Sequence, residues 1–231
     1  MALITEFCNN GALEDILTSP TTYLNIESIL KFALDIARGM NYLHSSTPRV
    51  IHRDLKSANV FVGSDYCMKV GDFGLSHMND TTKAKAEDGE ETQEAISMLA
   101  GTPKFMAPEV WCEREYTEKV DIFSYGCVLI ELYTRQEPFP GVQSEEELRK
   151  LIVDEQQLPT IPSWVPGPLR ELTISCLSAD PDKRPSFAEI ISQIKTWMGH
   201  TDTKSVCIER ALLFPFGHTY CMQATIVLHS Q

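Results

Sequence analysis

Apolar residues recur at helical spacing over two long stretches of the chain, one after Asn25 and one after Thr117. Side chains three and four positions apart share one helix face, so each stretch predicts a helix, and Asn25 suits the first cap. The second stretch is apolar almost all round, which is typical of a helix inside a domain. The apolar positions are Ile26, Ile29, Leu30, Ala33, Ile36, Ala37, Met40 and Leu43 in the first stretch and Val120, Phe123, Tyr125, Val128, Leu129 and Leu132 in the second.

Three further helices are predicted from signals at their starts. Ser144 with Glu147 and Ser186 with Glu189 have the spacing of capping boxes. Pro168, which lies between them, suits the first turn of a helix. The second half of the chain is therefore expected to be helical.

Strands are predicted at two places, and both are short. Residues 2–7 predict a buried strand, and the turn residues Asn9, Asn10 and Gly11 follow it. The apolar run at residues 60–62 predicts a second strand directly after a polar loop. The predicted fold class is α+β and predominantly helical.

Two segments lack regular periodicity. Residues 77–97 are polar, contain the acidic run EDGEETQE and predict a mobile loop, before an ordered segment at 101–108. Residues 199–231 form a tail whose later part is apolar, but Pro215 and Gly217 interrupt it and argue against a membrane helix. A docked hairpin, a partner-binding tail and an artefact of gene prediction remain open for this tail.

Length and charge narrow the possible partners. With 231 residues and 43% hydrophobic composition, the chain can bury one substantial core. Lys and Arg number 20 against 32 acids, and the formal charge of -12 argues against nucleic acid and anionic membrane partners. A basic peptide is easier to attract, although acidity that only aids solubility explains the charge equally well.

The cysteines favour a reducing compartment. All 7 are scattered without a CxxC pair, and an odd number suits a disulfide framework poorly. The start MALITEFCNNG lacks the basic region of a signal peptide, and no apolar run is long enough to cross a bilayer. We therefore expect a cytoplasmic protein.

Three short motifs occur in a fixed order along the chain. HRDLKSAN occupies residues 52–59, DFG occupies 72–74 and APE occupies 107–109. Together they resemble the signature of eukaryotic protein kinases. The resemblance implies a protein kinase-like fold, with a partial domain over residues 1–198 that holds the hinge and the C-terminal lobe while the N-terminal lobe is largely missing.

The resemblance also implies an activity, which is transfer of the ATP γ-phosphate to a protein hydroxyl with magnesium as the metal. Lys56 in the first motif and the run GTPKFMAPE at residues 101–109 imply a Ser/Thr kinase of the tyrosine kinase-like group. The expected partner is a protein substrate with a Ser or Thr hydroxyl.

Five motif residues acquire catalytic roles from this resemblance. Asp54 would orient the attacking hydroxyl and accept its proton, Lys56 would neutralise the transferred phosphate, and Thr102 would contact both. Asn59 and Asp72 would hold magnesium, which prefers oxygen ligands and needs nucleotide phosphates to complete its shell. By residue type alone, Asp54 also suits a helix cap and Lys56 a solvated surface cation.

The resemblance places the nucleotide base near the start of the chain. The implied contacts are Thr5 as gatekeeper, the Glu6 carbonyl and Cys8 backbone at the adenine edge, Ala12 and Asp15 near the ribose, Phe61 beneath the adenine, and Asn59 and Asp72 at the metal-bound phosphates. An aromatic in a short buried strand is also typical of a core, so simple packing stays open for Phe61.

Family analogy gives other residues an architectural role. Asp121 is expected to anchor the backbone of His52 and Arg53. Glu109 is expected to form a buried ion pair with Arg184, and loss of one partner in such a pair is costly.

Arg53 also suggests regulation. An arginine beside Asp54 can receive a phosphate from a neighbouring segment and order it. Thr92 and Ser97 are the candidate acceptors for an upstream kinase, and solvated loop hydroxyls explain them equally well.

Two interpretations of the activity remain open. Ahead of Thr5 the sequence has no glycine-rich phosphate loop, no strand lysine and no helix glutamate to pair with it. The chain is therefore either a Ser/Thr kinase represented by its large lobe, or a kinase-derived binding module that does not hold ATP productively.

Overall fold

The computed structural model describes residues 6–79 and 101–201. Its helices are α1 (Leu13–Thr18), α2 (Ile26–Ser45), α3 (Pro108–Trp111), α4 (Lys119–Thr134), α5 (Glu145–Arg149), α6 (Gly167–Cys176) and α7 (Phe187–Thr201). Its strands are β1 (Arg49–Ile51), β2 (Val60–Val62), β3 (Met68–Val70) and β4 (His77–Asn79). Single 3-10 turns lie at Ser57–Asn59, Ser64–Tyr66, Pro103–Phe105 and Pro181–Lys183, and a π turn lies at Lys150–Asp154. The predicted class, α+β and predominantly helical, is confirmed.

Helices α2 and α4 form the centre of the core. The Asn25 side chain accepts a hydrogen bond from the Ser28 amide at 2.8 Å and caps α2 as predicted. Every residue of α4 from Val120 to Tyr133 is buried, which agrees with its apolar sequence. Helix α7 packs against α2, and its capping box is present because the Ser186 amide donates to Glu189 Oε2 at 2.7 Å.

Two antiparallel strand pairs frame the loop that joins α2 to the rest of the chain. Strand β1 pairs with β4, with Arg49 opposite Asn79, and β2 pairs with β3, with Val60 opposite Val70. The predicted mobile loop is therefore wrong at residues 77–79, because three residues are enough for a strand pair but too few for a visible alternation. The remainder of that loop, with both candidate phosphate acceptors, lies outside the described residues.

The predicted buried strand at residues 2–7 is wrong in its described part. Glu6 and Phe7 form no strand, and Phe7 is 88% exposed. A short apolar run does not by itself indicate whether other segments pack against it, and no described element packs over Phe7. Thr5 lies outside the described residues. The turn that follows is present, with Gly11 at a φ of 74°.

Arg135 joins the C-terminal end of α4 to the first helix. It adopts a left-handed backbone with a φ of 58°, and its guanidinium donates to the carbonyl oxygens of Leu17 at 2.9 Å and Thr22 at 2.6 Å. Further bonds reach the carbonyls of Ile16 and Ser19. These carbonyls lie at or beyond the end of α1, where helical partners are missing. One side chain therefore caps α1 and ties it to the core.

We expect Arg135→Ala to lower the free energy of unfolding by about 1–3 kcal/mol, because several carbonyls lose a charged donor. Urea denaturation followed by circular dichroism measures this loss. Arg149→Ala, at an exposed position in α5, is the matched control and is expected to leave the midpoint unchanged. Equal midpoints for both variants would contradict the capping role.

The buried cysteines are thiols within the core. Cys127 and Cys176 are fully buried, and burial raises the pKa of Cys176 to about 12. Both therefore stay protonated and pack as small apolar groups. Among the helices of residues 6–79 and 101–201, none has the length and apolarity needed to cross a membrane.

Candidate active site

A buried carboxylate on α4 holds the start of the HRDLKSAN loop. Asp121 has no exposed surface and accepts hydrogen bonds from the backbone amides of His52 at 2.9 Å and Arg53 at 2.8 Å. His44 Nε2, at the end of α2, lies 2.8 Å from the same carboxylate. The anchoring contact implied by the resemblance is present, and it links the loop to both central helices.

Arg53 adopts a conformation that the fold has to enforce. Its φ is 68°, in the left-handed region that non-glycine residues rarely adopt, and such strain concentrates at functional sites. Its side chain donates to the Leu75 carbonyl at 2.5 Å and to the Tyr116 hydroxyl at 3.0 Å. Gly101 lies against it, because a Cβ at Gly101 would approach the Arg53 carbonyl oxygen to 2.8 Å. The loop and the segment before APE therefore fit closely together.

Asp54 lies at the centre of a polar cluster. Thr102 Oγ1 donates to Asp54 Oδ1 at 2.7 Å, and Asn59 Nδ2 donates to Asp54 Oδ2 at 2.9 Å. Lys56 Nζ lies 3.2 Å from Asp54 Oδ2 and donates to Thr102 Oγ1 at 2.7 Å. Four of the predicted catalytic residues are thus brought together, with one carboxylate shared among three donors.

The hairpin of β2 and β3 brings Gly71, the residue before Asp72, against Asn59 of this cluster. The Gly71 amide donates to the Asn59 carbonyl at 2.9 Å, so Asn59 and Asp72 flank the open end of the hairpin. His52 Nδ1 accepts from the Asp54 amide at 3.3 Å, so His52 Nε2 is the donor to the Gly71 carbonyl at 2.9 Å. Asp72 itself has a φ of 58° and is exposed.

The oxygen atoms of Asn59 and Asp72 suit a magnesium site. Because Asn59 Nδ2 is already bonded to Asp54, its amide oxygen remains as the acceptor. Asp72 Oδ1 accepts only a long bond, 3.3 Å, from the Gly74 amide among the described contacts. Both are hard oxygen ligands, and two such ligands need phosphate oxygens and water to complete a magnesium shell.

The residues predicted near the base and ribose have other local contacts. Phe61 in β2 is half-buried, and its ring packs over Gly71, where a Cβ would lie 2.8 Å from the ring. Asp15 Oδ2 accepts from the Ala12 amide at 2.8 Å, so this carboxylate caps α1. The Glu6 carboxylate pairs with Lys69 at 2.7 Å. Ala12 forms a β-bridge with Phe61, and Lys69 lies opposite Phe61, so these contacts lie along the hairpin of β2 and β3.

Cys8 completes the set of predicted nucleotide residues. Its carbonyl accepts a 3.4 Å hydrogen bond from the Gly11 amide in the turn before α1. Burial raises the pKa of its thiol, while Lys69 opposes the shift. The side chain is therefore a neutral thiol beside the turn.

The APE segment is held by a buried ion pair. Arg184 Nη1 and Nη2 donate to the two oxygens of Glu109 at 2.6 and 2.7 Å. The guanidinium also donates to the Ser178 carbonyl at 2.8 Å and lies 5.3 Å from the Phe123 ring centroid. The pair implied by the resemblance is present, and it fixes α3 to the helical core.

Sequence reasoning missed Glu131, which contacts the HRDLKSAN loop through Ser57. This residue of α4 is 7% exposed and accepts two hydrogen bonds from Ser57. An acid inside the apolar run at residues 127–133 of α4 is the signal that could have identified it, because a buried charge needs partners.

Comparisons with known proteins agree with the geometry. The family model described as protein tyrosine and serine/threonine kinase matches residues 1–194. Similar relatives include the probable serine/threonine-protein kinase drkC of Dictyostelium discoideum, 40% identical over 84% of this chain and 25% of its own length. The probable serine/threonine-protein kinase SIS8 of Arabidopsis thaliana is 37% identical over 84% of this chain and 18% of its own length.

A third relative has a different described specificity. The dual specificity protein kinase shkA of Dictyostelium discoideum is 38% identical over 80% of this chain and 34% of its own length. The chain thus spans between 18% and 34% of the length of these relatives. With the family model matching most of its length, this chain belongs to the protein tyrosine and serine/threonine kinase family.

Proposed function

We propose that this chain is the large lobe of a protein serine/threonine kinase of the tyrosine kinase-like group, which transfers the γ-phosphate of ATP to a protein hydroxyl. The observation that carries the proposal is the cluster of Asp54, Lys56 and Thr102. In this cluster a carboxylate and an ammonium group share one threonine hydroxyl. The family supports the general activity, and the cluster supports the Ser/Thr specificity.

Each residue in the cluster has a separate task in this proposal. Asp54 accepts hydrogen bonds and can hold the proton of an attacking hydroxyl, which is the work of a general base. Lys56 lies between Asp54 and Thr102 and balances negative charge next to that hydroxyl. Asn59 and Asp72 would hold magnesium, which when bound with ATP neutralises charge on the phosphates.

The nucleotide residues complete the proposal. Phe61 would lie beneath the adenine, Glu6 and Cys8 would supply backbone contacts at its edge, and Ala12 and Asp15 would lie near the ribose. The half-buried Phe61 ring supports this placement, because it packs over Gly71, directly before the proposed metal ligand Asp72.

We also propose a cytoplasmic location, which the cysteine usage supports. The proposed kinase domain covers residues 1–198.

The alternative is a kinase-derived binding module that docks substrates or partners. Phosphate transfer also needs groups that hold the triphosphate, and Asn59 and Asp72 would supply only the metal side of such a site. Loss of contacts to developing phosphate charge lowers rates by orders of magnitude. The two candidate functions therefore differ in nucleotide affinity and in phosphate transfer.

Calorimetric titration of the chain with ATP, in magnesium and in EDTA, tests the proposal. We expect binding only with magnesium, and weaker binding by Asp72→Asn, because an amide is a poorer metal ligand than a carboxylate. Asp182→Asn is the control, because Asp182 is exposed and lies outside the three motifs. This variant is expected to bind ATP as the unmodified chain does.

A phosphate-transfer assay on a pool of Ser, Thr and Tyr peptides completes the test. Labelled phosphate on Ser or Thr supports the proposed kinase, and labelled phosphate on Tyr alone contradicts the proposed specificity. No magnesium-dependent binding together with no transfer would overturn the proposal in favour of the binding module.

A further inference from the structure

Glu131 lies on α4, which has more buried residues than any other helix in the described part of the chain. Its two oxygens accept hydrogen bonds from one residue of the HRDLKSAN loop, with Ser57 Oγ at 2.7 Å from Oε1 and the Ser57 amide at 3.2 Å from Oε2. Ser57 is 2% exposed. Ser57 can donate both bonds, and an ionised carboxylate accepts such bonds more strongly than a neutral carboxyl group does.

Ser57 lies close in sequence to two proposed site residues, Asp54 and Asn59, so its contact with Glu131 can affect the site. Ser57 begins the 3-10 turn Ser57–Asn59, and Asn59 Nδ2 donates to the carbonyl and to the carboxylate of Asp54. The turn therefore connects the general base of the proposed reaction to a proposed metal ligand. A movement of Ser57 would displace both, and small misplacements of catalytic groups cause large losses of rate.

The surroundings of Glu131 oppose its charge. Burial raises the pKa of Glu131 to about 7, the two bonds from Ser57 lower it, and the nearby carboxylates of Glu14 and Glu137 raise it. Glu14 lies on α1 and Glu137 lies just after α4, where Lys104 Nζ binds it at 2.6 Å. Cys127, one turn earlier on α4, is a buried thiol whose pKa is raised well above its ordinary value.

We propose that Glu131 is a positioning residue that holds the turn Ser57–Asn59 through Ser57, and that this hold depends on the negative charge of Glu131. The proposal rests on the proposed kinase function for its catalytic meaning. The contact between Glu131 and Ser57 is made by residues of this chain alone, so it can be tested without nucleotide. Loss of the proton from Glu131 would then tighten the hold on the loop, and gain of the proton would release it.

The amide resonance of Ser57 reports this proton directly. In a 15N-labelled sample of the chain without nucleotide, we expect the Ser57 amide shift to change with pH around a midpoint of about 7. The amide proton should lie farther downfield on the alkaline side, where the ionised carboxylate accepts a stronger bond. Glu131→Gln should abolish the transition, because an amide side chain does not titrate.

Two milder variants keep the carboxylate and move the midpoint in opposite directions. Ser57→Ala removes the hydroxyl bond that lowers the pKa of Glu131, so the transition should move to higher pH while the residue 57 amide still reports it. Glu137→Gln removes a neighbouring negative charge, so the transition should move to lower pH. Both variants test the proposal even where Glu131→Gln fails to fold.

The pH dependence of folding stability is a second way to follow the protonation of Glu131. The pKa of Glu131 in the folded chain, about 7, lies above the ordinary 4.5, so the folded state binds the proton more tightly. The stabilisation that this proton adds to the folded state is complete below the ordinary pKa and is lost as the pH rises through about 7, although the ionised carboxylate accepts the stronger bonds from Ser57. The urea midpoint of the unmodified chain, relative to that of Glu131→Gln, should fall across this window.

A Ser57 amide shift that is independent of pH in the neutral range, or a transition that survives in Glu131→Gln, would overturn the proposal. Because nucleotide is absent from these titrations, such a result leaves the kinase proposal standing. Conversely, a titrating contact in a chain that neither binds nor transfers phosphate would support the hold and reject the kinase. Where phosphate transfer is measured, its pH profile should follow the Ser57 transition and shift with it in Glu137→Gln.

Discussion

Replacing Glu109 with alanine is expected to lower the free energy of unfolding by about 3–5 kcal/mol, the usual cost of removing one partner from a buried ion pair. The Arg184 side chain has no exposed surface and that of Glu109 is 8% exposed. Among the described contacts, the guanidinium without the carboxylate keeps the carbonyls of Ser178 and Lys119 and the face of Phe123. A cation buried among neutral groups then has no compensating charge. Urea denaturation measures the loss.

The neighbouring position supplies a matched control for this experiment. Lys183 pairs with Asp180 at 3.6 Å, and its side chain is 75% exposed. Exposed pairs of this kind contribute little, so Lys183→Ala should leave the unfolding midpoint almost unchanged. High salt should screen the surface pair and leave the effect of Glu109→Ala in place. A Glu109→Ala variant as stable as Lys183→Ala would show that the ion pair adds nothing to the fold.

The parts of the fold with long periodic patterns could be predicted from sequence. Helix α2 begins where Asn25 and the apolar spacing place it, and the capping box at Ser186 is present in α7. Helix α4 was expected from Thr117 and begins at Lys119, where the Lys119 amide donates to the Thr117 hydroxyl at 3.3 Å. These features depend on local signals, which a single sequence contains in full.

Features that depend on distant partners could not be predicted in this way. Strand β4 forms by pairing with β1, and a sequence of three residues does not indicate which segment it will pair with. Phe7 is apolar but exposed, because burial depends on what the rest of the fold places over it. Arg135 shows no helix-capping signal in sequence, since the carbonyls it reaches belong to a segment more than a hundred positions earlier.

The candidate site likewise contains residues whose proximity could be predicted from sequence and residues for which it could not. Asp54, Lys56 and Asn59 lie within one motif, so their proximity could be expected, while Thr102 and Asp72 required the family resemblance. Glu131 belongs to none of the three motifs, and its contact with Ser57 spans 74 positions. Long-range polar contacts of this kind become visible only when the helices that carry them have been placed.

Asp54 is the residue on which the proposed chemistry depends most. Its carboxylate has one oxygen bonded to Thr102 Oγ1 and the other shared by Asn59 Nδ2 and Lys56 Nζ. In Asp54→Asn the amide oxygen can replace only one of these acceptors, and the new NH₂ group would face donors. The variant therefore loses both the base and the order of the cluster, whereas Thr102→Val loses two hydrogen bonds, one to Asp54 and one from Lys56, and keeps the base.

We expect Asp54→Asn to lower the rate of phosphate transfer to Ser or Thr peptides by about 10²–10⁴-fold, the usual contribution of a general base. Thr102→Val should lower it less, because the carboxylate remains charged and in contact with Asn59. Asp65→Asn is the matched control: Asp65 is exposed with a φ of 57°, and asparagine tolerates this conformation. Steady-state rates with labelled ATP measure all three variants. Transfer by Asp54→Asn at the rate of Asp65→Asn would mean that another group accepts the proton, since the charge at Asp54 would then have no part in the reaction.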